Sequence, residues 1–405
     1  MLVRKHKILF VDDEPFILQG IRRSTEEYTG NWIVDFATSG SEALKKLASE
    51  SFDAVVTDML MPGMDGVTLL KEVTEDHPGV LRFVLSGNTR DENILQATHL
   101  VHQMFPKPCD IDYVYKVVER SCLLRDMVSE PNLIRIITGI RSLPSAPTLY
   151  NNLLVELQSK EPDPQLVGDI IAQDPAMTAK ILQLVNSAFF GLPNNISNPQ
   201  RAVVILGLNT IKALTLGIHI FSEFKSSARF PISIETIWNH SLLVSNLARK
   251  IARILKLTPQ DQEDAQVAGI LHDTGKLLEY RIPNFFSRIQ IDNGYIPPKS
   301  EYQTLGTSHA EMGAYLLGGW GLPNQIVEAV LLHHNPGMQV SDTPNIISVL
   351  HIANGLMNMY RAEKKVRYEP YLDVAYVNKM GLSEKMSDWE EECQVMLNAD
   401  PRISG

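Results

Sequence analysis

The sequence is poor in cysteine. Its three cysteines form no Cys-x-x-Cys pair or other metal-ligand spacing, and they are Cys109, Cys122 and Cys393. An odd number of isolated cysteines gives no basis for a disulfide framework or a cysteine-bound metal. This usage is typical of a protein in a reducing compartment, and we therefore expect a cytoplasmic location.

Long apolar segments are also lacking. The longest apolar region, from Val203 to Phe221, is interrupted by Asn209, Lys212 and His219, so it is unsuited to span a bilayer. The apolar run near the start of the chain is short and is followed at once by acidic residues, which argues against a signal peptide. We therefore expect no membrane association.

The sequence also has no excess of positive charge. The 405 residues carry a formal net charge of −10. This acidic balance argues against a general affinity for nucleic acid or anionic membranes. No segment has the character of a basic recognition helix, so a DNA-binding output is disfavoured. A chain of this length is expected to form two or three domains.

The stretch from Asp53 to Gly66 organises the first third of the chain, and it reads DAVVTDMLMPGMDG. Its apolar run favours a buried strand, and Asp58 follows that run directly. The Met-Pro-Gly-Met-Asp-Gly sequence that follows is typical of a turn. In open α/β sheets, ligands bind at the carboxyl ends of the strands, which is where this pattern puts Asp58.

Strand and helix patterns alternate strictly over about 125 residues around this stretch, which predicts a doubly wound, five-stranded parallel sheet. The predicted strands are Lys7–Val11, Trp32–Ala37, Ala54–Thr57, Leu81–Leu85 and Gln103–Phe105. The predicted helices between them are Pro15–Tyr28, Ser41–Ser49, Val67–Asp76 and Asp91–Leu100.

Five polar residues at the strand ends are expected on one rim of this sheet, and they are Asp12, Asp13, Asp58, Ser86 and Lys107. Clustered carboxylates favour a hard cation such as Mg²⁺. A carboxylate beside such a cation can attack a phosphoryl donor and form an aspartyl phosphate. A hydroxyl and an ammonium group are suited to hold the phosphoryl oxygens.

These motifs closely resemble the receiver domain of bacterial response regulators, over residues 5–128. The motifs are the Asp-Asp pair, the D-x-x-M-P-x-M-D-G run, Ser86-Gly and Lys107-Pro. The resemblance implies a flavodoxin-like fold and a sensor histidine kinase as phosphoryl donor. It implies that Asp58 is the phosphoacceptor and that Ser86 and Lys107 contact the phosphoryl group. It also implies that Asp13 binds Mg²⁺ directly, that Asp12 does so through water, and that the main-chain carbonyl of Leu60 is a further ligand. It also implies a cis bond between Lys107 and Pro108.

One position departs from the receiver pattern. The family usually carries an aromatic residue three positions before the lysine, and this chain has Met104 there. Phe105 is adjacent but faces the opposite side of a strand. Coupling between the hydroxyl and an aromatic side chain is therefore left open.

The segment from Asp110 to Val128 has apolar residues at helical spacing and an acidic cap at Asp110 or Asp112. Two interpretations stay open for this helix. It either only closes the receiver, or it also acts as a connector that transmits rotation or pairs with its copy in a homodimer.

Strand signals vanish after Asn132, and the remainder of the chain is predicted to be all-helical. The predicted helices are Leu133–Arg141, Leu149–Ser159, Pro164–Ala172, Met177–Val185, Pro199–Phe221, Glu235–Leu255 and Asp261–Tyr280. The run DPAMTAKILQLVNSAFFGLP, with the later AVVILG, resembles the HDOD domain, a helical signalling domain related to the HD metal phosphohydrolases. We assign it residues 132–360, followed by a C-terminal helical tail at 361–405.

Histidines of this region are spaced as in the HD family, and together they predict one pocket. Its expected residues are His240, His272, Asp273, His309, His333, His334 and Asn354. Imidazole and carboxylate groups on neighbouring helices can hold divalent ions such as Mn²⁺ or Fe²⁺. Such ions can generate hydroxide and clamp a phosphate ester.

Two departures argue against catalysis by this pocket. Asn354 stands where the HD family has a carboxylate, and no Gly-Tyr-Pro extension follows His333-His334. Two functions therefore stay open. The first is a response regulator whose largely nonenzymatic HDOD domain contacts downstream signalling proteins. The second is a phosphorylation-regulated phosphohydrolase or phosphodiesterase acting on a nucleotide.

Overall fold

The computed structural model describes residues 5–26, 30–86, 100–128, 130, 132–134, 136–137, 153, 156, 161–172, 181, 196, 198–211, 214–215, 232–291, 296–319, 322–361 and 372–399. The chain divides into two compact units, and the main boundary lies between Thr148 and Leu149. The domain bounds 5–128, 132–360 and 361–405 stay predictions.

The first unit is built on a five-stranded parallel sheet with the order β2-β1-β3-β4-β5. Its strands are β1 (His6–Val11), β2 (Trp32–Ala37), β3 (Ala54–Asp58), β4 (Leu81–Ser86) and β5 (Gln103–Pro106). Its described helices are α1 (Pro15–Thr25), α2 (Gly40–Ser49), α3 (Gly66–Asp76) and α4 (Ile111–Met127). All five predicted strands are confirmed, whereas the predicted helix Asp91–Leu100 lies almost wholly outside the described residues.

Local sequence explains where the helices of this unit begin. Pro15 takes the first position of α1, where its missing N–H costs nothing. The side chains of Ser39, Asp65 and Asp110 cap α2, α3 and α4 by accepting backbone N–H groups. The central strands are buried almost throughout, as expected for a parallel sheet that carries helices on its faces.

A cluster of charged side chains fastens the end of α4 to the sheet. The ring nitrogens of His6 lie 3.0 Å from Glu119 and 3.0 Å from Asp126. The Arg125 guanidinium lies 2.6 Å from the Asp53 carboxylate and 2.8 Å from that of Asp126. Hydrogen bonds to Asp126 and Glu119 raise the pKa of His6 to about 9, although burial opposes the charge. His6 is therefore an imidazolium that bridges two acids.

We expect His6 to stabilise the protein below neutral pH and to lose that effect in alkali. Its folded pKa of about 9 lies above the ordinary 6.5, so its contribution is complete below pH 6.5 and is lost as the pH rises through 9. The variant His6→Gln should lower the free energy of unfolding by about 1–3 kcal/mol near pH ~6, and by much less near pH ~10.

Urea unfolding at the two pH values measures this difference. The control is His77→Gln, because His77 ends α3 outside the charged cluster. A loss of equal size at both pH values in His6→Gln would show that the charge of His6 is not what stabilises the protein.

The described part of the chain after residue 132 contains helices and no strand. Its helices are α5 (Pro164–Ala172), α6 (Pro199–Leu206), α7 (Ile234–Ile254), α8 (Pro259–Leu271), α9 (Thr274–Glu279), α10 (Phe285–Arg288), α11 (Pro298–Leu305), α12 (His309–Gly319), α13 (Asn324–Leu332), α14 (Ile346–Arg361), α15 (Val374–Lys379) and α16 (Met386–Ala399). The fold class predicted for each unit is thus confirmed. The predicted helices Leu133–Arg141, Leu149–Ser159 and Met177–Val185 lie largely outside the described residues.

Two predicted helices are interrupted. The predicted helix Pro199–Phe221 breaks at Gly207, whose φ of 79° is favourable only for glycine. The predicted helix Asp261–Tyr280 breaks at His272 and Asp273, which separate α8 from α9. Helical periodicity continues through both breaks, and for that reason the sequence pattern does not reveal them. The second break brings two predicted site residues to a helix junction.

The described part of the chain contains no helix with the length and apolar character needed to cross a membrane.

Candidate functional site

Asp58 is the last residue of β3, and Asp12 follows β1 directly. These two strands are neighbours in the sheet, although β2 lies between them in sequence. Their carboxyl ends form the point at which the strand order reverses, which is where doubly wound sheets bind ligands. The fold therefore brings both predicted acids to the expected rim.

Lys107 joins these two acids. Its Nζ lies 2.6 Å from Asp58 Oδ1 and 2.9 Å from Asp12 Oδ2. Burial opposes the ammonium charge, but the hydrogen bonds to Asp58 and Asp12 outweigh it and raise the pKa of Lys107 above its usual value. The lysine is therefore a fixed positive charge beside the carboxylate of Asp58.

The loop behind Asp58 runs close to its carboxylate. The backbone N–H of Leu60 donates to Asp58 Oδ2 at 3.3 Å, and Asp13 is half-buried in the loop after β1. A Cβ atom at Gly66 would overlap with the carbonyl oxygen of Asp58. Glycine at this position lets α3 begin directly against the end of β3.

The other predicted residues of this rim are placed as follows. The bond between Lys107 and Pro108 is cis, which confirms the prediction. Ser86 ends β4, but its side chain and that of Met104 lie outside the described part of the structure. Phe105 is buried and meets Tyr113 edge-on, with ring centroids 5.9 Å apart.

The donor set of this rim suits a hard cation. It contains carboxylates, and Mg²⁺ accepts one or two of these beside water and phosphate oxygens. Asp12 is 1% exposed and Asp58 is partly open to solvent, so a phosphoryl donor can approach Asp58. The arrangement combines a carboxylate that solvent can reach with a neutralising ammonium group.

The second unit brings the predicted histidines together. His240 lies in α7, His272 and Asp273 separate α8 from α9, and His309 is the first residue of α12. His333 ends α13 and His334 follows it, while Asn354 lies in α14. Apart from the half-buried His334, these side chains are buried. The seven residues form one interior cluster, which we call the histidine pocket.

Asp273 is at the centre of the histidine pocket. Its Oδ1 lies 3.3 Å from His272 Nε2 and 3.4 Å from His309 Nε2. Its Oδ2 accepts a hydrogen bond of 2.8 Å from Lys276. Burial disfavours the charged form, but His272 and Lys276 outweigh it and hold the pKa of Asp273 well below its usual range. A carboxylate charge is therefore retained in the interior.

Hydrogen bonds fix which ring nitrogens of the pocket carry protons. His272 Nδ1 faces the carbonyl of Gly269 at 2.8 Å, and His333 Nδ1 faces that of Val330 at 2.6 Å. A carbonyl can only accept, so each Nδ1 carries a proton, and Nε2 carries a lone pair whenever the ring is neutral. Burial and the neighbouring histidines hold the pKa of His333 well below its usual value, which keeps the ring neutral.

Several buried polar atoms of the pocket have no hydrogen-bond partner. Among the described residues, His272 Nε2, His333 Nε2 and Asp273 Oδ1 are buried and have no hydrogen-bond partner. The rings of His272 and His333 are 5.1 Å apart. Buried acceptors without partners are costly. A divalent cation that prefers imidazole would satisfy such acceptors, and two groups have suitable spacing, namely His240 with His272 and Asp273, and His309 with His333 and His334. The donor set therefore fits a metal ion.

Asn354 takes the place expected from the sequence. Its Oδ1 lies 2.9 Å from His240 Nε2 and also accepts from Asn358 at 2.8 Å. The His240 ring is 3.9 Å from Asp273 Oδ2. A neutral oxygen thus stands at the position where a second carboxylate would strengthen cation binding.

Sequence reasoning missed several buried polar residues around the pocket, namely Lys276, Glu279, Glu301 and His351. Lys276 follows His272-Asp273 within four residues, so its position in the sequence could have indicated that it lies at the pocket. Glu301 and His351 lie on separate helices, and no spacing pattern relates them to the ligand positions. Their role depends on tertiary packing alone.

The two halves of the pocket approach closely at Gly275. A Cβ atom there would overlap with the carbonyl oxygen of His309 and would lie 2.9 Å from the backbone nitrogen of Gly313. Only glycine permits α9 to pass the first turn of α12 at this distance. Gly275 therefore sets the separation between Asp273 and His309.

Sequence comparison identifies both units. The family described as "Response regulator receiver domain" matches residues 8–119, and the family described as "HDOD domain" matches residues 143–336. Both matches agree with the resemblances inferred from the motifs.

Curated relatives match parts of the chain. An "Uncharacterized protein" of Treponema pallidum (strain Nichols) is 24% identical over 59% of this chain and 47% of its own length. The "Uncharacterized transcriptional regulatory protein YesN" of Bacillus subtilis (strain 168) is 32% identical over 40% of this chain and 46% of its own length. The chain thus covers less than half of the length of these two relatives.

Among solved structures, an "HDOD domain protein with unknown function" from Geobacter sulfurreducens is 21% identical, with a TM-score of 0.47. The match covers 72% of this chain and 100% of that one.

Proposed function

We propose that this chain, a response regulator in which a receiver domain precedes an HDOD domain, accepts a phosphoryl group on Asp58 and thereby controls the HDOD domain. Receiver domains are in general phosphorylated by histidine kinases, and we propose a sensor histidine kinase as the donor. The observation that carries this proposal is the contact of Lys107 with both Asp58 and Asp12.

Each residue of the rim has a defined task in this proposal. The Asp58 carboxylate attacks the phosphorus of the kinase's phosphohistidine, and the new O–P bond forms as the N–P bond to the leaving histidine breaks. Lys107 then contacts the phosphoryl oxygens instead of the Asp58 carboxylate. Ser86 supplies a hydroxyl contact. Receiver domains generally bind Mg²⁺, which when bound neutralises charge on the phosphoryl group. The proposed ligands are the carboxylates of Asp12, Asp13 and Asp58 and the carbonyl of Leu60.

The output of the HDOD domain is proposed to be contact with a downstream signalling protein. Phosphorylation adds negative charge to the rim, and this charge can bias a receiver face and the helix that follows it. The helix α4, which is exposed at Tyr113, Leu123 and Met127, is the proposed connector, and its pairing with a copy would give a homodimer. The net charge of −10 disfavours a direct contact with nucleic acid.

Covalent labelling of the full chain tests the phosphoacceptor. A small phosphodonor in the presence of Mg²⁺ should place one phosphoryl group on the protein, and peptide mapping should locate it at Asp58. Chelation of Mg²⁺ should suppress the label. A label that maps to another residue would overturn the proposal.

The second candidate function is a metal-dependent phosphohydrolase or phosphodiesterase in the histidine pocket. The observation that favours it is that His272 Nε2, His333 Nε2 and Asp273 Oδ1 are buried without a hydrogen-bond partner among the described residues. The residues that would hold the ion are the histidines and Asp273, with Asn354 as a neutral oxygen. Such an ion supplies hydroxide and polarises a phosphate ester.

The content of metal and the hydrolysis of nucleotides separate the two functions. If the pocket is an enzyme, the chain loaded with Mn²⁺ or Fe²⁺ should hydrolyse a nucleotide substrate, and His272→Ala should remove this turnover. Substoichiometric metal together with unchanged turnover in His272→Ala would leave the nonenzymatic function.

A further inference from the structure

Glu301 is a buried acid beside the histidine pocket. It lies in α11, its exposed fraction is 0%, and both of its carboxylate oxygens are 2.7 Å from His309 Nδ1. Its Oε2 also accepts the backbone N–H of His309 at 2.7 Å. The carboxylate therefore holds this histidine by the ring and by the main chain at once.

We propose that Glu301 is the positioning residue of the histidine pocket, which fixes the rotamer and the protonated nitrogen of His309 so that its Nε2 lone pair faces Asp273 and His334. This inference rests on the second candidate function, the pocket as a cation site. Glu301 itself would not be a ligand of the ion.

The geometry on the other side of the ring agrees with this role. A carboxylate can only accept from Nδ1, so the proton of a neutral His309 is on Nδ1 and its Nε2 carries a lone pair. That Nε2 lies 3.4 Å from Asp273 Oδ1 and 3.0 Å from His334 Nε2. Without Glu301, the ring could turn over or move its proton, and the lone pair would leave the pocket.

Glu279 is a second buried acid beside Glu301. It is 1% exposed in α9, and its carboxyl oxygens lie near those of Glu301 and the ring of His309. Burial and the proximity of Glu301 hold the pKa of Glu279 well above its usual range.

The same three residues, Glu279, Glu301 and His309, have the spacing of a cation site. The hydrogen bonds argue against that use, because the ring and backbone N–H groups of His309 already occupy the Glu301 oxygens. A carboxylate that accepts from the far nitrogen of a metal-binding histidine is the usual way to orient such a ligand.

The test uses the full chain, free of metal and labelled with ¹⁵N-histidine. In the wild type, NMR correlations of His309 should show the proton on Nδ1, and the signal is assigned by its loss in His309→Gln. In Glu301→Met, which removes both acceptor oxygens at similar length, the proton should no longer be confined to Nδ1. Calorimetric titration with Mn²⁺ should show an affinity about 10–100-fold weaker than that of the wild type.

The matched control is Glu311→Met. Glu311 lies in α12, the helix that His309 begins, and it accepts hydrogen bonds from Ser308 N and Thr307 Oγ1 without contacting the His309 ring. Glu311→Met should change neither the position of the His309 proton nor the affinity for Mn²⁺. If Glu301→Met does not fold, Glu301→Gln replaces it, with the proton retained on Nδ1 and an Mn²⁺ affinity up to about tenfold weaker.

The outcomes separate the two proposals. If the wild type binds no Mn²⁺ while the proton still moves in Glu301→Met, the cation site fails and the positioning role of Glu301 stands. If Glu301→Met leaves the proton on Nδ1 and the Mn²⁺ affinity unchanged, the positioning role is overturned.

Discussion

Asp58→Asn should abolish the phosphoryl label that a small phosphodonor leaves on the wild-type chain in the presence of Mg²⁺. The amide has the same shape, but it lacks the charged oxygen that attacks the donor. Lys107 keeps its contact of 2.9 Å with Asp12, so the rim should retain its structure. The loss should therefore be complete, down to the signal of an unlabelled sample, while the folded content measured by circular dichroism stays unchanged.

A nearby acid provides the matched control. Asp65 caps α3 by accepting from the backbone of Thr68 at 2.7 Å, and asparagine caps a helix about as well as aspartate. Asp65→Asn should thus be labelled like the wild type. Persistent labelling of Asp58→Asn would show that another residue is the phosphoacceptor.

Asp273→Asn should remove cation binding by the histidine pocket. Replacement of residues that only orient a ligand costs about 10–100-fold in affinity. Asp273 is a proposed ligand itself, so its loss should exceed about 100-fold. The change also leaves Lys276 buried without its acid at 2.8 Å. Breaking a buried ion pair in this way destabilises a protein by about 3–5 kcal/mol.

The double variant Asp273→Asn with Lys276→Met separates these two effects. Removal of the ammonium group should restore much of the stability, measured by urea unfolding, but none of the Mn²⁺ affinity, measured by calorimetry. Asp264→Asn is the control, because Asp264 is a buried acid of α8 that bonds to Gln260 and not to a histidine. Wild-type affinity in the double variant would exclude Asp273 as a ligand.

The receiver site was predictable because its candidate functional residues follow the strands directly. Each acid or lysine follows an apolar run directly, and parallel strands bring their carboxyl ends to one edge by rule. Asp12, Asp58 and Lys107 therefore meet as expected. The side-chain role of Ser86 and the Mg²⁺ contacts of Asp13 and Leu60 stay predictions.

The histidine pocket was predictable only in part. The motif spacing identified His272, Asp273 and His309 as neighbours, although nothing in the helical period marked the break between α8 and α9. The supporting acid Glu301 has no sequence signal, because its contact with His309 depends on how α11 packs at the start of α12. The charged cluster of His6 and Arg125 was missed for the same reason, since its members are far apart in sequence.

Gly275 bears on how such a pocket could be lost during evolution. It carries no functional group, yet any side chain there would collide with the backbone of His309. A descendant could keep every histidine and Asp273, gain one methyl group at position 275, and no longer close the pocket. An inventory of ligand residues would score that descendant as intact. Surveys of related sequences should therefore record the glycine together with the ligands.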